Sequence, residues 1–494
     1  MRSDLSARQL KRGWFLGRNW ASWGTALLLL SAGPAWAQEE GSEPKKESTT
    51  SEEPAKDKSK DKPKDPSTEP VTTAPGTEAE LAEKYPELRD AIESLKQFKF
   101  DDCLKKLEEA SAKYPELPPG RLIYAELLVK ANQLGAAQQE FERVVDEKPD
   151  DPRTYLSMGA IGMAQGRRTD ALFQFNHAIG LADKFDFKEA DGREKFLGKC
   201  FLGRATLYEA KKDWKGALAD IEKWIASDPK NGAARQRLAR CHFFIGDLAK
   251  AEEELKQAKA DGPTLSPPDT ALATFYAANE EHDKAEEHFR KGVEAEQNNP
   301  LVYQSFAQWL FTRNRVAEAK EQAVKGLQTL PDSRDLRTLR AKLARHLKSY
   351  EEAEAELEDL LKDSPNNLDL RNELALALAE QQDGTKQKRA FQIAQENFNF
   401  NRNSADLCAT FGWVNYRLGQ MDNAEKLINT AARMVGTQAR PDILYYLAHI
   451  LAEKGQNEDV KKLLAQISGS TLPFAFKDDA SQWLERLNTS GGDK

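Results

Sequence analysis

The sequence predicts an all-α superhelix, a solenoid of about eleven helix-turn-helix repeats with a C-terminal capping helix. Three observations carry this expectation. A small residue followed four places later by an apolar one recurs with a period of mostly 34 residues, a second small residue stands twelve places before most of these, and proline closes many of the units. A fixed period in the range of roughly 20 to 50 residues marks an array that grows by stacking. A chain of 494 residues then needs no set of separate cores.

The series runs Cys103/Leu107, Ala137/Phe141, Ala171/Phe175, Ala217/Ile221, Ala251/Leu255, Ala285/Phe289, Ala319/Ala323, Ala353/Leu357, Ala390/Ala394, Ala424/Ile428 and Val460/Leu464. Successive members are 34 apart except for steps of 46, 37 and 36. The small residues twelve places upstream are Ala91, Ala125, Gly159, Ala205, Ala239, Ala273, Ala307, Ala341, Gly412 and Ala448, while Ala375 stands fifteen before Ala390. Pro115, Pro149, Pro229, Pro263, Pro331 and Pro365 fall where one unit ends and the next begins, since proline stops a helix.

Two antiparallel helices approach closely only where side chains are small, so Ala205 on a first helix is expected to face Ala217 on the second. Tyr208, Ile221 and Trp224 then fill the space between hairpins, and stacking supplies the core that one hairpin lacks. A 34-residue unit with paired small residues and a terminal proline resembles the tetratricopeptide repeat, from about Lys84 to Ile467. Its most complete unit is Phe201-Leu-Gly-Arg-Ala205-Thr-Leu-Tyr208 with Trp214, Ala217, Ile221 and Pro229; the family's leading Trp is replaced by Tyr155, Phe201 and Tyr303 among others. With the leader described next, the resemblance is to an exported bacterial type.

Residues 1–37 read as a secretory signal. Arg2, Arg8, Lys11, Arg12 and Arg18 precede the apolar run Thr25-Ala-Leu-Leu-Leu-Leu30 and then Pro34-Ala35-Trp36-Ala37, which predicts cleavage after Ala37 and a periplasmic or secreted chain. The alternative is an N-terminal membrane anchor, but the apolar core is broken by Gly33 and Pro34 and falls short of the ~20 residues of a spanning helix. Residues 38–77 hold almost no apolar side chains and read as a disordered Pro/Glu/Lys/Ser/Thr-rich linker. The array occupies 78–470, with units beginning near 84, 118, 152, 198, 232, 266, 300, 334, 368, 405 and 441. Twelve extra residues, roughly Phe185 to Leu197, emerge at one edge as a longer helix plus loop or as part of a binding face. A three-residue insertion around Gln381–Lys386 is expected to lengthen one hairpin turn. Residues 471–494, with Phe474, Phe476, Trp483, Leu484 and Leu487, read as a capping helix and tail.

Composition bounds the function. With 80 acidic against 72 basic residues, net charge -8 and pI near 5.6, the chain is no general phosphate-neutralising nucleic-acid binder. Cys103, Cys200, Cys241 and Cys408 lie far apart, form no metal-ligand spacing and read as small buried residues. No GxSxG, HExxH or glycine-rich phosphate loop occurs, so no enzyme, cofactor or metal is expected. His282 and His288 flank Glu286 and Glu287, but in register they belong to a turn and a solvated helix.

Charge is segregated within units. The first helix of the Ala341 unit carries Arg334, Arg337, Arg340, Lys342, Arg345, His346 and Lys348, and its second carries Glu351, Glu352, Glu354, Glu356, Glu358, Asp359 and Asp363. Arg235, Arg237 and Arg240 repeat this more weakly. In the resembled family the first helices line a concave groove, which implies a partly basic groove at Arg235, Arg240, Arg337, Lys342, Arg345 and His346 for a protein or peptide partner, acidic in character. The other reading is that these arginines pair with neighbouring acidic helices. Leu122 with Glu126, and Leu156 with Ala160, do not match the family's carboxylate clamp. The leading expectation is therefore an exported, non-catalytic scaffold. The alternative is a polysaccharide or cell-wall binder stacking sugars on Trp309, Phe311, Trp413 and Tyr416, for which helix packing is the cheaper explanation.

Overall fold

The computed structural model describes residues 85–490 apart from 132, 188–191 and 437–439. The expected signal with its Ala37 cleavage point and the 38–77 linker lie outside the described residues. Among those described there are twenty-three helices and no strand, as the period predicts. No helix among them is long and apolar enough to cross a membrane.

The chain divides at 268/269 into two compact units. The first holds five hairpins: α1 (Pro86–Lys96) with α2 (Phe100–Lys113), α3 (Gly120–Lys130) with α4 (Leu134–Glu147), α5 (Pro152–Ala164) with α6 (Arg168–Ala182), α7 (Gly192–Ala210) with α8 (Trp214–Ser227), and α9 (Gly232–Phe244) with α10 (Leu248–Asp261). The second holds six: α11 (Pro268–Ala278) with α12 (His282–Ala295), α13 (Pro300–Thr312) with α14 (Val316–Thr329), α15 (Arg334–His346) with α16 (Tyr350–Asp363), α17 (Leu368–Glu380) with α18 (Gly384–Phe400), α19 (Ala405–Arg417) with α20 (Met421–Val435), and α21 (Pro441–Glu453) with α22 (Asn457–Ser468). Helix α23 (Lys477–Ser490) follows them.

Local chemistry places these boundaries. Asp151, Asn231, Asn299, Ser333, Asn367 and Ser404 each accept a backbone N–H of the first helix they precede, and Pro86, Pro152, Pro300 and Pro441 occupy first-turn positions that have no hydrogen bond to lose. The hairpin turns share one device. In nine of them the middle residue is left-handed: Phe98, Gly166, Lys212, Gly246, Glu280, Asn314, Lys348, Gly419 and Gly455. The amide that follows reaches back five residues, as from Asp213 to the Tyr208 carbonyl and from Ser349 to the Ala344 carbonyl, both at 2.9 Å.

The small residues work one helical turn away from where the sequence suggests. Gly159 and Gly412 occupy the register of Ala205, and a Cβ on them would meet the Phe175 ring and Ile428, the apolar residues four beyond Ala171 and Ala424. Ala171 is met instead by Gly162. In these two units a large side chain is pressed on the small one, because side chains on antiparallel helices interdigitate, while Ala205 and Ala217 share one buried cluster. Phe175 is also gripped from the next hairpin by Gly203.

The two larger breaks in period each lengthen a helix. The extra residues after α6 lengthen α7 to 19 residues, against 13 in α5 and α9, and widen the preceding connection, part of which lies outside the described residues. Phe187 there packs on Phe185 and Phe196, with ring centroids 4.9 and 5.2 Å away. The second insertion does not lengthen its turn, contrary to expectation. Gln381–Asp383 has three residues like the other turns, and α18 grows to 17 residues where α16 has 14. Asp383 causes this by accepting the amides of Thr385 and Lys386, which starts the helix early, while buried Gln381 is extended and donates to Glu354 at 2.7 Å.

Two substitutions test these contacts. Gly120 sits so close to α2 that a Cβ would lie 2.4 Å from the Glu108 nitrogen. Gly120→Ala should therefore cost about 1–3 kcal/mol by overpacking, seen as a lower urea midpoint. Lys212 is exposed with φ 58°. Lys212→Gly should relieve the left-handed penalty and stabilise by about 0.5–1 kcal/mol, raising the melting temperature.

Candidate functional site

The six basic candidates separate by their place on the helix. Arg235 and Arg337 stand fourth in their units, whereas Arg240 and Lys342 stand ninth, directly after the small residue, and Arg345 and His346 follow Lys342 by three and four. At about 100° per residue, the fourth and ninth positions point some 140° apart, while the ninth and thirteenth share a face.

Arg235 and Arg337 turn into their own hairpins. Arg235 reaches Glu254 at 2.9 Å and Asp261 at 2.8 Å, and Arg337 reaches Asp359 at 2.5 Å and buried Glu356, which Arg340 also contacts. Arg121 does the same with Glu140 at 2.8 Å. Arginine followed nineteen residues later by glutamate is thus a clamp between the two helices of a hairpin. Internal pairing describes these two residues better than display in a groove. Arg240, in the first unit, lies over the Trp214 and Phe244 rings at 5.5 and 5.8 Å.

Lys342, Arg345 and His346 lie together in the second unit, where the first helices form an inner face. Successive first helices touch, α15 with α17, α17 with α19 and α19 with α21. Lys348, in the turn of the α15/α16 hairpin, bonds Asp479 of α23 at 2.8 Å, and Arg345 feels the charge of Asp442 on α21. A straight row of helices about 10 Å apart would separate these elements by roughly 30 Å. The six-hairpin unit therefore curves with its first helices inside.

On this face Arg345 donates to Glu373 of α17 at 2.6 Å. Burial alone would raise the Glu373 pKa, but the charges of Arg345 and Lys342 outweigh it and leave the carboxyl below its ordinary value. Lys342 makes no hydrogen bond or ion pair of its own among the described residues. Arg345 also approaches His346 Nε2 at 3.3 Å, which assigns the ring proton to Nδ1, a buried atom without a partner. Asn372 Oδ1 of α17 is likewise buried and unpaired. Lys342 thus keeps an unpaired ammonium beside the Arg345–Glu373 pair, an arrangement suited to a carboxylate. The sequence reading missed Glu373 and Asn372, which become visible only once adjacent units are aligned.

The proposed sugar-stacking aromatics are occupied. Trp309 packs on Phe289 and Phe306, Phe311 meets His346, and Trp413 is stacked between Tyr416 and Tyr446 at 5.1 and 4.4 Å while donating to Glu380 at 2.6 Å. His282 and His288 do not converge: His288 reaches Asp269 at 2.9 Å, while Glu286 is taken by Arg290 and Arg315 and Glu287 by Lys291. All four cysteines are buried and unbridged, and burial pushes the Cys103 thiol up to about 12.

Burial first, and then the Arg345 charge, lowers the His346 pKa to about 3; burial and Arg417 lower that of His449 to about 4. Both rings are neutral when folded and take up protons on unfolding below about pH 6.5. Stability is therefore full above pH 6.5 and falls between there and pH 3 to 4, by at most about 1.4 kcal/mol per pH unit for each histidine. His346→Gln should flatten this slope in pH-dependent urea unfolding while leaving the high-pH limb in place.

Two family models described as tetratricopeptide repeat match the chain, one over residues 94–160 and 208–277 and the other over 306–367 and 338–401. Hsp70-Hsp90 organizing protein 1 of Glycine max is 24% identical over 248 residues, 47% of this chain and 41% of that protein. Mitochondrial import receptor subunit TOM70 of Homo sapiens is 29% identical over 86 residues, 17% of this chain and 14% of that protein. The chain thus spans less than half the length of either relative. The crystal structure of yeast Tom70 aligns over 83% of this chain and 97% of its own, with a TM-score of 0.34 and 14% identity. The 34-residue period, the hairpins it builds and the matched repeat models together make this chain a member of the tetratricopeptide-repeat family.

Proposed function

We propose that this chain is a non-catalytic scaffold that holds an acidic protein segment on the inner face of its second unit. The observation that carries this is Lys342, which has no ion pair among the described residues and stands with Arg345 on the curved row of first helices. A cation left unpaired on a concave face draws an opposite charge to it. The relatives named above, an organizing protein and an import receptor subunit, support a role in handling other proteins.

The residue 1–37 pattern supports action outside the cytoplasm, in an envelope assembly reached by export, with the 38–77 linker as a tether. Burial of Trp309 and Trp413, and the packing of Phe311 and Tyr416 on neighbouring rings, weigh against the polysaccharide reading.

A fluorescent peptide ending in Glu-Glu-Asp and its Gln-Gln-Asn counterpart would be titrated into the full chain. The acidic peptide should bind better, and Lys342→Glu should weaken it about tenfold or more, the consequence of turning attraction into repulsion across a partly desolvated contact. Equal affinity for both peptides, or no change on charge reversal, removes the groove assignment.

A further inference from the structure

A helix that serves only to cap an array needs to cover the final hairpin. The C-terminal segment here does more. Helix α23 packs on α22, but the residues before and inside it cross the inner face of the second unit. Phe476 lies parallel to Tyr445 of α21 at 5.2 Å and meets Trp413 of α19 at 6.1 Å. Phe474 meets Tyr445 at 5.3 Å, and Trp483 meets His449 at 4.7 Å. Asp479 then reaches Lys348, three hairpins upstream of the last.

The segment is anchored at one end of its length. Trp413, Tyr445 and Tyr446 are buried and fixed on helices with extensive cores. In the segment itself Phe474, Phe476 and Ala480 are buried, whereas none of residues 481–489 is, and exposed Thr471 and Leu472 connect it to α22. Trp483, Leu484 and Leu487 pack on the core only in part, and a terminal helix covered on one side opens more readily than hairpins covered on both. Nor does it satisfy the surface beneath it. His449 Nδ1 is hydrogen-bonded with the Tyr416 hydroxyl at 3.2 Å, while its buried Nε2, under Trp483, has no partner.

We propose that residues 474–483 are an internal ligand of an aromatic docking site formed by Trp413, Tyr445 and His449, and that an external protein segment of the same chemistry displaces them. That segment carries two aromatic side chains one residue apart, as Phe474 and Phe476 are, and a carboxylate three residues later, as Asp479 is, to take Lys348. The aromatic rings supply contact area at little rotamer cost and the carboxylate fixes direction. The proposal rests on the reading that the inner face binds protein segments, but it uses a different part of that face from Lys342.

The probe is a fluorescein-labelled peptide of residues 471–483 of this chain, titrated into the full chain. Wild type should bind it weakly, because the tethered copy competes at an effective concentration in the millimolar range. Phe476→Ser with Asp479→Lys in the chain should open the site and improve peptide binding at least tenfold. A probe with both phenylalanines replaced by alanine should not bind the opened chain. Lys348→Glu provides a variant that leaves every aromatic contact intact: it should weaken the carboxylate anchor of tethered and external copies alike, so the unaltered probe gains nothing, whereas a probe with lysine at the Asp479 position gains up to about fivefold. If neither the opened chain binds the probe better than wild type nor Lys348→Glu favours the lysine probe, the segment is a fixed cap and the proposal fails. Binding of the Glu-Glu-Asp peptide, measured in the same chains, separates this outcome from failure of the Lys342 site.

Discussion

Everything in this chain depends on large side chains of one helix pressing into places where the facing helix has almost none. Phe175 is held between Gly159 of its own hairpin and Gly203 of the next, so one ring fixes both the closure of a hairpin and its stacking. Ile428 against Gly412 repeats the first half of this contact in the second unit. Such contacts are non-directional in origin yet strict in shape, because close-packed interiors tolerate neither a void nor an extra methyl group. They set the register of every hairpin, and register decides which side chains face inward.

Electrostatics then follows the register. An arginine in the fourth place of a unit meets a glutamate nineteen residues later because hairpin closure brings those two helical faces together, as at Arg121, Arg235 and Arg337. Further pairs join neighbouring hairpins, such as Lys320 with Glu352 and Lys386 with Glu354 at 2.5 and 2.6 Å. Individually exposed pairs contribute little. Their effect here is to neutralise much of the charge of α15 and α16, while Lys342 keeps its own on the inner face. A strongly segregated sequence thus folds into a largely neutralised body with a small basic remainder on its inner face.

That inner face has two chemically distinct parts. Around Lys342, Arg345 and His346 it is polar, with Arg345 paired to Glu373 and the Lys342 charge left over. Around Trp413, Tyr445 and His449 it is aromatic and covered by the chain's own C-terminal segment. Curvature creates both, since it draws side chains from α15 to α23 into one concavity that no single hairpin could form. In the function proposed above, the first part would hold a partner by charge and the second by ring stacking, in exchange for an internal contact.

The sequence by itself determined the helices, their pairing and their number, because a 34-residue spacing of small residues leaves one way to stack hairpins. It also determined that the cysteines are packing residues and that α23 follows the last hairpin. It did not determine where the inserted residues after Glu380 go, since Asp383 capping a helix and Asp383 in a longer turn read alike until the backbone is placed. Nor did it separate Arg337 from Lys342. Both are cations on the same first helix, and only the packing of α16 against one side of that helix consumes the first and leaves the second. The reach of Asp479 to Lys348 was beyond it as well, because a contact across 131 residues depends on the accumulated curvature of several hairpins, a small angle per repeat that no single unit encodes.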